Sequence, residues 1–293
     1  MQGQYRVTPA LKLHAGARYD RFDYDLLNRK LPAASTGYQG AALTPKYGAI
    51  WNALPDVELY ANVAQGLRSP AAEQISASGS PGPLGASGGR INADIDPSKV
   101  RSHDLGLNAR PAAGWDVGAS VYAIRNDDEI INTAPDVYLA SGRTTRRGFE
   151  VDMRYRLDRA LSAYLSYGRI LRARLDNPPP GTGALLSVPA HTWKAGAQYR
   201  AGVGPGNLSL NGDVYVTARN PYYSGTPPAR RDMPTYVRYT LKASYDYRKV
   251  LGSLAVTLQP HEFASDIAYG SAAGLLVSTV PRTQLEASLR YFF

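Results

Sequence analysis

Apolar and polar residues alternate one for one along long stretches of this chain. Strand side chains point to opposite faces in turn, so such alternation predicts strands with one apolar and one polar face. At the C-terminus Leu285, Ala287, Leu289, Tyr291 and Phe293 share one face, and Gln284, Glu286, Ser288 and Arg290 the other. Leu11, Leu13, Ala15, Ala17 and Tyr19 oppose Lys12, His14, Gly16, Arg18 and Asp20. Phe149, Val151, Met153 and Tyr155 oppose Glu150, Asp152, Arg154 and Arg156, and Val237 to Tyr247 repeats the pattern. Further stretches begin near Tyr47, Val57, Leu105, Trp115, Leu161, Trp193, Leu208 and Leu254, which predicts about twelve strands, many of nine or more residues.

The length of these strands decides between architectures. Soluble strands average about 5–6 residues, whereas a strand that crosses a bilayer needs about 9–11. The polar faces also carry full charges spaced two apart. A sandwich buries its apolar faces against each other; a membrane barrel turns them to lipid and its charges to an aqueous lumen. The chain contains no run of about 18 apolar residues, which excludes helical spans. The expected fold is therefore all-β, an antiparallel transmembrane β-barrel of meander topology.

The connections alternate in length. Short ones are Ala53-Leu54-Pro55-Asp56, Pro111-Ala112-Ala113-Gly114, Asp158-Arg159-Ala160, Ala201 to Gly206 and Arg248 to Gly252. Long ones cover about 26–41, 70–98, 125–145, 172–186, 219–234 and 261–281. Outer-membrane barrels place short turns in the periplasm and long loops outside. An even number of strands puts both termini on the periplasmic side. Segment 70–98, rich in Gly, Ser and Pro, reads as an external loop.

Composition sharpens this picture. There are 21 Tyr against 5 Phe and 3 Trp, and an amphipathic ring suits a membrane–water interface. The absence of Cys excludes a disulfide scaffold and a Cys-ligated zinc site. The net charge of +9 fits Arg and Lys that line a lumen or touch lipopolysaccharide phosphates. It does not indicate nucleic acid, because the basic residues alternate along strands instead of forming one patch. The start, Met1-Gln2-Gly3-Gln4-Tyr5-Arg6, shows no apolar leader, so an exported chain of this sequence is a mature form or lacks its true beginning.

Several motifs resemble those of TonB-dependent outer-membrane receptors of the siderophore-receptor type. Leu59-Tyr60-Ala61-Asn62-Val63-Ala64-Gln65-Gly66-Leu67-Arg68-Ser69-Pro70 is similar to that family's strand ending in Gly-Phe-Arg-x-Pro, with Leu67 for Phe. Arg147-Gly148-Phe149-Glu150-Val151-Asp152 resembles its Arg-Gly-x-Glu strand start. Leu289-Arg290-Tyr291-Phe292-Phe293 resembles a barrel-assembly signal, with Leu289, Tyr291 and Phe293 as its apolar positions. The family's Asn-Leu-Phe-Asp-like turn is replaced by Gln259-Pro260-His261-Glu262, with Tyr269 further on. The resemblance implies that residues 1–293 are the C-terminal part of a barrel of about 22 strands, without the plug domain and TonB-contact segment. It implies TonB-energised uptake of a scarce ligand such as a ferric siderophore in the full-length receptor, with TonB and the plug as partners.

The candidate ligand-binding residues are basic and aromatic groups of the external loops. Arg143, Arg146 and Arg147 lie close together in sequence, and Arg230 and Arg231 follow Tyr222 and Tyr223. Guanidinium groups with aromatic rings suit an anionic, aromatic ferric chelate; contact with lipopolysaccharide phosphates or lumen neighbours is the competing role. Catalytic, cofactor and metal motifs are not found. His14, His103, His191 and His261 form no ligand cluster by spacing, and no nucleophile motif marks a serine. Asp127-Asp128-Glu129 could bind Ca²⁺ but lacks EF-hand spacing, and reads as a solvated loop start. Two other readings compete with the receptor. One is a self-contained 12-strand barrel, either an autotransporter translocator or a passive porin. The other is a barrel hydrolase with a Ser–His pair.

Overall fold

The computed structural model describes residues 1–27, 29, 32, 35–71, 97–134, 137–140, 143–176, 188–224, 229–259, 269–271, 274–276 and 281–292. Most of the expected external loop at 70–98, much of 261–281, and Phe293 lie outside them. The chain opens with β1 (Gln2–Arg6), β2 (Leu11–Leu26), β3 (Thr36–Leu54), β4 (Val57–Arg68), β5 (Ser98–Ala109) and β6 (Trp115–Asp127). A small hairpin of β7 (Ile130–Ala134) and β8 (Val137–Ala140) follows. Then come β9 (Thr144–Arg156), β10 (Leu161–Leu175), β11 (His191–Val203) and β12 (Gly206–Thr217). A second hairpin pairs β13 (Asn220–Ser224) with β14 (Ala229–Met233). Next stand β15 (Tyr236–Tyr247) and β16 (Val250–Leu258), a third hairpin of β17 (Tyr269–Ser271) and β18 (Gly274–Leu276), and last β19 (Thr283–Tyr291).

Thirteen of these strands form one antiparallel sheet in chain order, β1 to β6, β9 to β12, β15, β16 and β19, with β1 and β19 at its edges. The twelve expected strands are all present, and β1 is the addition; five residues are too few to display a period of two. It runs opposite to β2, so Met1 lies alongside Ala17, not at the short-turn end. Three of the expected long loops are partly ordered as hairpins, where residues such as Ile130, Ile131, Val137 and Tyr138 favour extended backbone.

The register confirms the two faces. Leu105, Val121 and Phe149 stand opposite one another across β5, β6 and β9. Leu105 and Val121 are 58% and 54% exposed, part of a continuous apolar outer surface of the kind a membrane barrel turns to lipid. On β6 this outer face runs from Trp115 to Ala123, about 27 Å along the strand at ~3.4 Å per residue, comparable with the ~25 Å apolar band of an outer-membrane barrel. Aromatic rings mark both limits. Trp115 packs on Tyr155 at 4.6 Å near the short turns, and Tyr167 packs on Phe149 at 5.7 Å and Trp193 at 4.0 Å near the other end. The polar face is the concave one and lines a hollow of about 710 Å³ that includes Glu58, Asn108, Asp116, Glu150, Asp152 and Arg154.

Local chemistry closes the short turns. The Asp158 carboxylate accepts hydrogen bonds from the amides of Ala160 and Leu161, both at 2.7 Å. Gly204 has φ +55°, a conformation glycine adopts without penalty, and Pro205 supplies the next residue of a two-residue turn.

The inner face repeats one packing device. Tyr60 faces Gly106, Tyr122 faces Gly148 and Tyr164 faces Gly196 across adjacent strands. Each ring lies over the glycine of the next strand, filling the space a side chain there would need. A Cβ on Gly148 would fall 2.3 Å from the Arg169 carbonyl oxygen and 2.5 Å from the Tyr122 hydroxyl. Gly148→Val is therefore expected to cost about 1–3 kcal/mol and to lower the temperature at which the barrel unfolds in a heat-modifiability gel. Gly202→Ala, with nothing within 4 Å of the added carbon, should leave that temperature within the spread of the wild type.

Candidate functional site

The sheet has no conventional core, and its most buried residues gather at the long-connection end. The buried apolar side chains include Tyr38, Pro70, Ala173, Leu175, Met233 and Tyr236, and the buried polar ones are Ser98, Asn126, Thr144, Thr217 and Gln259 among the described residues. All lie where strands lead into the long connections. Tyr236 donates to Gln259 at 2.6 Å, and Tyr24 to Ser69 at 3.2 Å.

The basic groups expected to act together are divided by the strand period. Arg146 lies on the inner face of β9. Its guanidinium donates to Glu129 at 3.0 Å, and the Thr144 hydroxyl also donates to Glu129. Beside them the Ser98 hydroxyl donates to Asn126. Arg147, the next residue, falls on the outer face opposite Ala123 and Arg172. Arg143 also points outward, 3.1 Å from Asp127 and 3.9 Å from Asp176. Arg125 holds Asp127 from the other side at 2.9 Å. Asp127 and Glu129 are thus neutralised by arginines. No group of three or more His, Asp or Glu suited to a metal ion occurs among the described residues.

The other expected group is placed by its backbone. In the β13–β14 hairpin Tyr222 pairs with Arg231 and Tyr223 with Arg230. Leu289 and Tyr291 stand on the outer face of edge strand β19, 79% and 53% exposed, opposite Gly252 and Val250 of β16. His191 stacks on Tyr167, its Nδ1 2.6 Å from the phenol oxygen, so this histidine is held by an aromatic partner.

One arrangement was not apparent from sequence. Lys194, Tyr215 and Arg238 come from β11, β12 and β15 and meet in a single row of the inner face. Both cations lie 5.5 Å from the Tyr215 ring centre. The residues are more than twenty positions apart in places, and only the register unites them. The β13–β14 hairpin leaves the end of β12 directly beyond this row. The result is a cation–aromatic–cation platform open to the lumen.

Comparison with known proteins gives a consistent result. The family model described as TonB dependent receptor-like, beta-barrel matches residues 1–259. No curated protein sequence matches the chain. Among solved structures, the siderophore receptor PiuA from Acinetobacter baumannii is similar over 97% of this chain and 41% of its own, at 17% identity and a TM-score of 0.68. The ferric yersiniabactin uptake receptor FyuA from Yersinia pestis is similar over 99% and 44%, at 15% identity and a TM-score of 0.72. The FrpB iron transporter from Neisseria meningitidis is similar over 99% and 44%, at 15% identity and a TM-score of 0.69. The chain spans about two-fifths of the length of these receptors. At such identities the likeness concerns the fold.

The Glu129 carboxyl reports on the inner cluster. Burial pushes its pKa up, but hydrogen bonds from Arg146 and Thr144 and the Arg146 charge outweigh this and hold it below the usual range. A lowered folded pKa adds stability that is complete above the unfolded value of about 4.3 and is lost as pH falls through the folded value. Protection from hydrogen exchange at residues 127–129 and 143–146, taken relative to the intrinsic rate at each pH, should therefore hold from neutral pH to about 5 and fall in stronger acid, and Glu129→Gln should abolish that fall. Arg146→Gln strands a largely buried carboxylate and is expected to cost about 1–3 kcal/mol, read in the same exchange experiment at pH 7.

Proposed function

The chain belongs to the TonB-dependent receptor-like β-barrel family, and on that footing we propose that it forms the C-terminal barrel portion of an outer-membrane receptor for TonB-energised uptake of a ferric siderophore. The family is one of receptors and transporters, not of enzymes, which supports the receptor reading over the autotransporter and hydrolase readings. The observation that carries the proposal is the family match over 259 residues of an antiparallel meander with one apolar and one charged face.

The unpaired edges of β1 and β19 bear on the domain assignment. In hydrocarbon each unsatisfied backbone group costs several kcal/mol. We therefore read residues 1–293 as part of a longer barrel in which further strands pair with both edges and a plug domain occupies the lumen. In this reading the short turns face the periplasm and the long connections face outside. Leu289, Tyr291 and Phe293 act as the assembly signal on the last strand.

The ligand would meet the inner face at the outer end. Lys194, Tyr215 and Arg238 offer two cations around one ring, and the β13–β14 hairpin that carries Tyr222, Tyr223, Arg230 and Arg231 follows next along the chain from β12. A ferric siderophore of catecholate or carboxylate type is anionic, and its rings or chelate plane can stack on tyrosine and guanidinium groups. Arg146 can contribute from β9, though it already serves Glu129. Arg143 and Arg147 face the other way.

Uptake of iron-loaded siderophores in the source bacterium tests this reading. Deleting the gene, or removing TonB, should abolish growth on at least one siderophore as sole iron source. Arg238→Ala together with Arg231→Ala should raise the half-saturating concentration about tenfold or more. Unchanged uptake in the deletion strain, with the purified protein conducting ions as an open pore, would replace receptor by porin.

A further inference from the structure

The inner wall is divided by charge. The hollow on β4 to β9 is lined by five carboxylates and two arginines. A second hollow, of about 680 Å³, adjoins it near the short turns and reaches across β9 to β12, and there the free charge has the opposite sign. Of its carboxylates, Asp116 pairs with Arg110 at 3.2 Å, Asp152 accepts the Ser166 hydroxyl and Asp158 caps its own turn. Asp213 leans over Gly196 to accept the Tyr164 hydroxyl. Arg156 and Arg200 of the same hollow are exposed and form no ion pair among the described residues.

The register gathers these cations into one place. Arg156, Ser162, Gln198, Asn211 and Lys242 form a single row on β9, β10, β11, β12 and β15. Gln198 donates to the Asn211 side-chain oxygen at 2.8 Å, which leaves the Asn211 amide with two N–H donors. Arg200 follows Gln198 by two residues, on the same face and one row nearer the turns. Lys242 is exposed and also forms no ion pair among the described residues. Glu286, the acid in its row, stands two strands away beyond Ala255. The row spans about 19 Å at ~4.8 Å between strands, a width suited to a ligand with several anionic groups.

Lys242 lies four residues along β15 from Arg238, about 14 Å at ~3.4 Å per residue, so this row stands on the same wall as the Lys194–Tyr215–Arg238 platform, nearer the short turns. A charged ligand that left the platform for bare lumen would lose both cations at once. Passage is easier where a second weak site takes over the charge. We propose that Arg156, Arg200 and Lys242, with Gln198 and Asn211, form a second anion station on the lumen wall. It receives the anionic chelate after the platform and keeps it on the β11–β15 wall, away from the carboxylate-lined one. The station presupposes the receptor reading given above, and adds to it the route of the ligand.

The test is uptake, by the source bacterium, of radioactive iron bound to the siderophores of its own iron-starved culture medium. Variants of the full-length protein are returned to the deletion strain, and heat-modifiability confirms that each is folded in the outer membrane. Arg200→Gln with Lys242→Gln should slow maximal import about tenfold, and Arg200→Lys with Lys242→Arg should import at the wild-type rate. The platform takes the ligand first, so the half-saturating concentration should not move in either pair. Lys12→Gln, which removes an inner-face cation at the short-turn end of β2, should import as wild type. The station is overturned if the folded Gln pair imports as fast as wild type, or if the Lys–Arg exchange is as slow as the Gln pair. It is equally overturned if the half-saturating concentration rises while the maximal rate holds, which would place these cations at the entry site. A Gln pair that admits large antibiotics into the cell would mean that the cations hold the plug, and would overturn it too. Unchanged uptake in the deletion strain itself would instead overturn the receptor reading, and the station with it.

Discussion

Every backbone amide and carbonyl that enters hydrocarbon must find a partner in the protein, because none is available from the solvent. In this chain the antiparallel ladder meets that demand everywhere between its edge strands β1 and β19, and the rest of the structure follows from it. A ladder fixes the side-chain period at two, so each strand must present one face to lipid and one to the lumen. It also joins residues distant in sequence into rows that run across the sheet. The Lys194–Tyr215–Arg238 row and the Arg147–Arg172 pair both arise in this way. A slip of one residue in any of these strands would exchange its faces and dismantle the row or pair to which it contributes.

The same period decides how each basic residue can act. Arg146 and Arg147 are neighbours in sequence, yet one meets Glu129 inside and the other stands outside above the apolar band. The inner arginine is matched by a nearby carboxylate and so adds order to the loop base. The outer one is unmatched and opposed by another arginine. Clustering of charge in a sequence therefore says little about a shared role in a β-barrel. The parity of the position says much more.

Parity was also what made the fold legible. The long alternating runs at Leu11, Phe149, Val237 and Leu285 gave the strands, their faces and the meander, and the Gly, Pro and Asp turns gave the connections. Elements shorter than one such run escaped. Strand β1 and the three hairpins have too few residues to show a period, and they form because a neighbour offers a free edge or an adjoining strand. Of the candidate site, Tyr222, Tyr223, Arg230 and Arg231 could be named as basic and aromatic residues of one long connection, but not as the hairpin in which they pair. The Lys194–Tyr215–Arg238 platform could not, because sequence reveals the face of each residue but not the shear that sets three strands level. The Tyr–Gly pairs share this limit. Tyr122 and Gly148 are ordinary residues on their own strands, and only the register makes the ring the reason for the glycine.

The contrast between the two rims shows what the ladder leaves free. Hydrogen bonding and lipid constrain the outer face between Trp115 and Ala123, and there the residues are small, apolar or aromatic. Beyond that band the constraint ends, and composition reflects whatever the rim touches. At the short-turn end the outer face stops on aromatic and aliphatic residues, and at the other end it turns to arginine within one rung. Lumen electrostatics cannot account for the difference, because these guanidinium groups leave the sheet on the side away from the lumen. Nor can solubility, which mixed charges would serve with less repulsion than facing arginines. The inner platform has the same chemistry but opens on water, where a diffusing anion can arrive and leave.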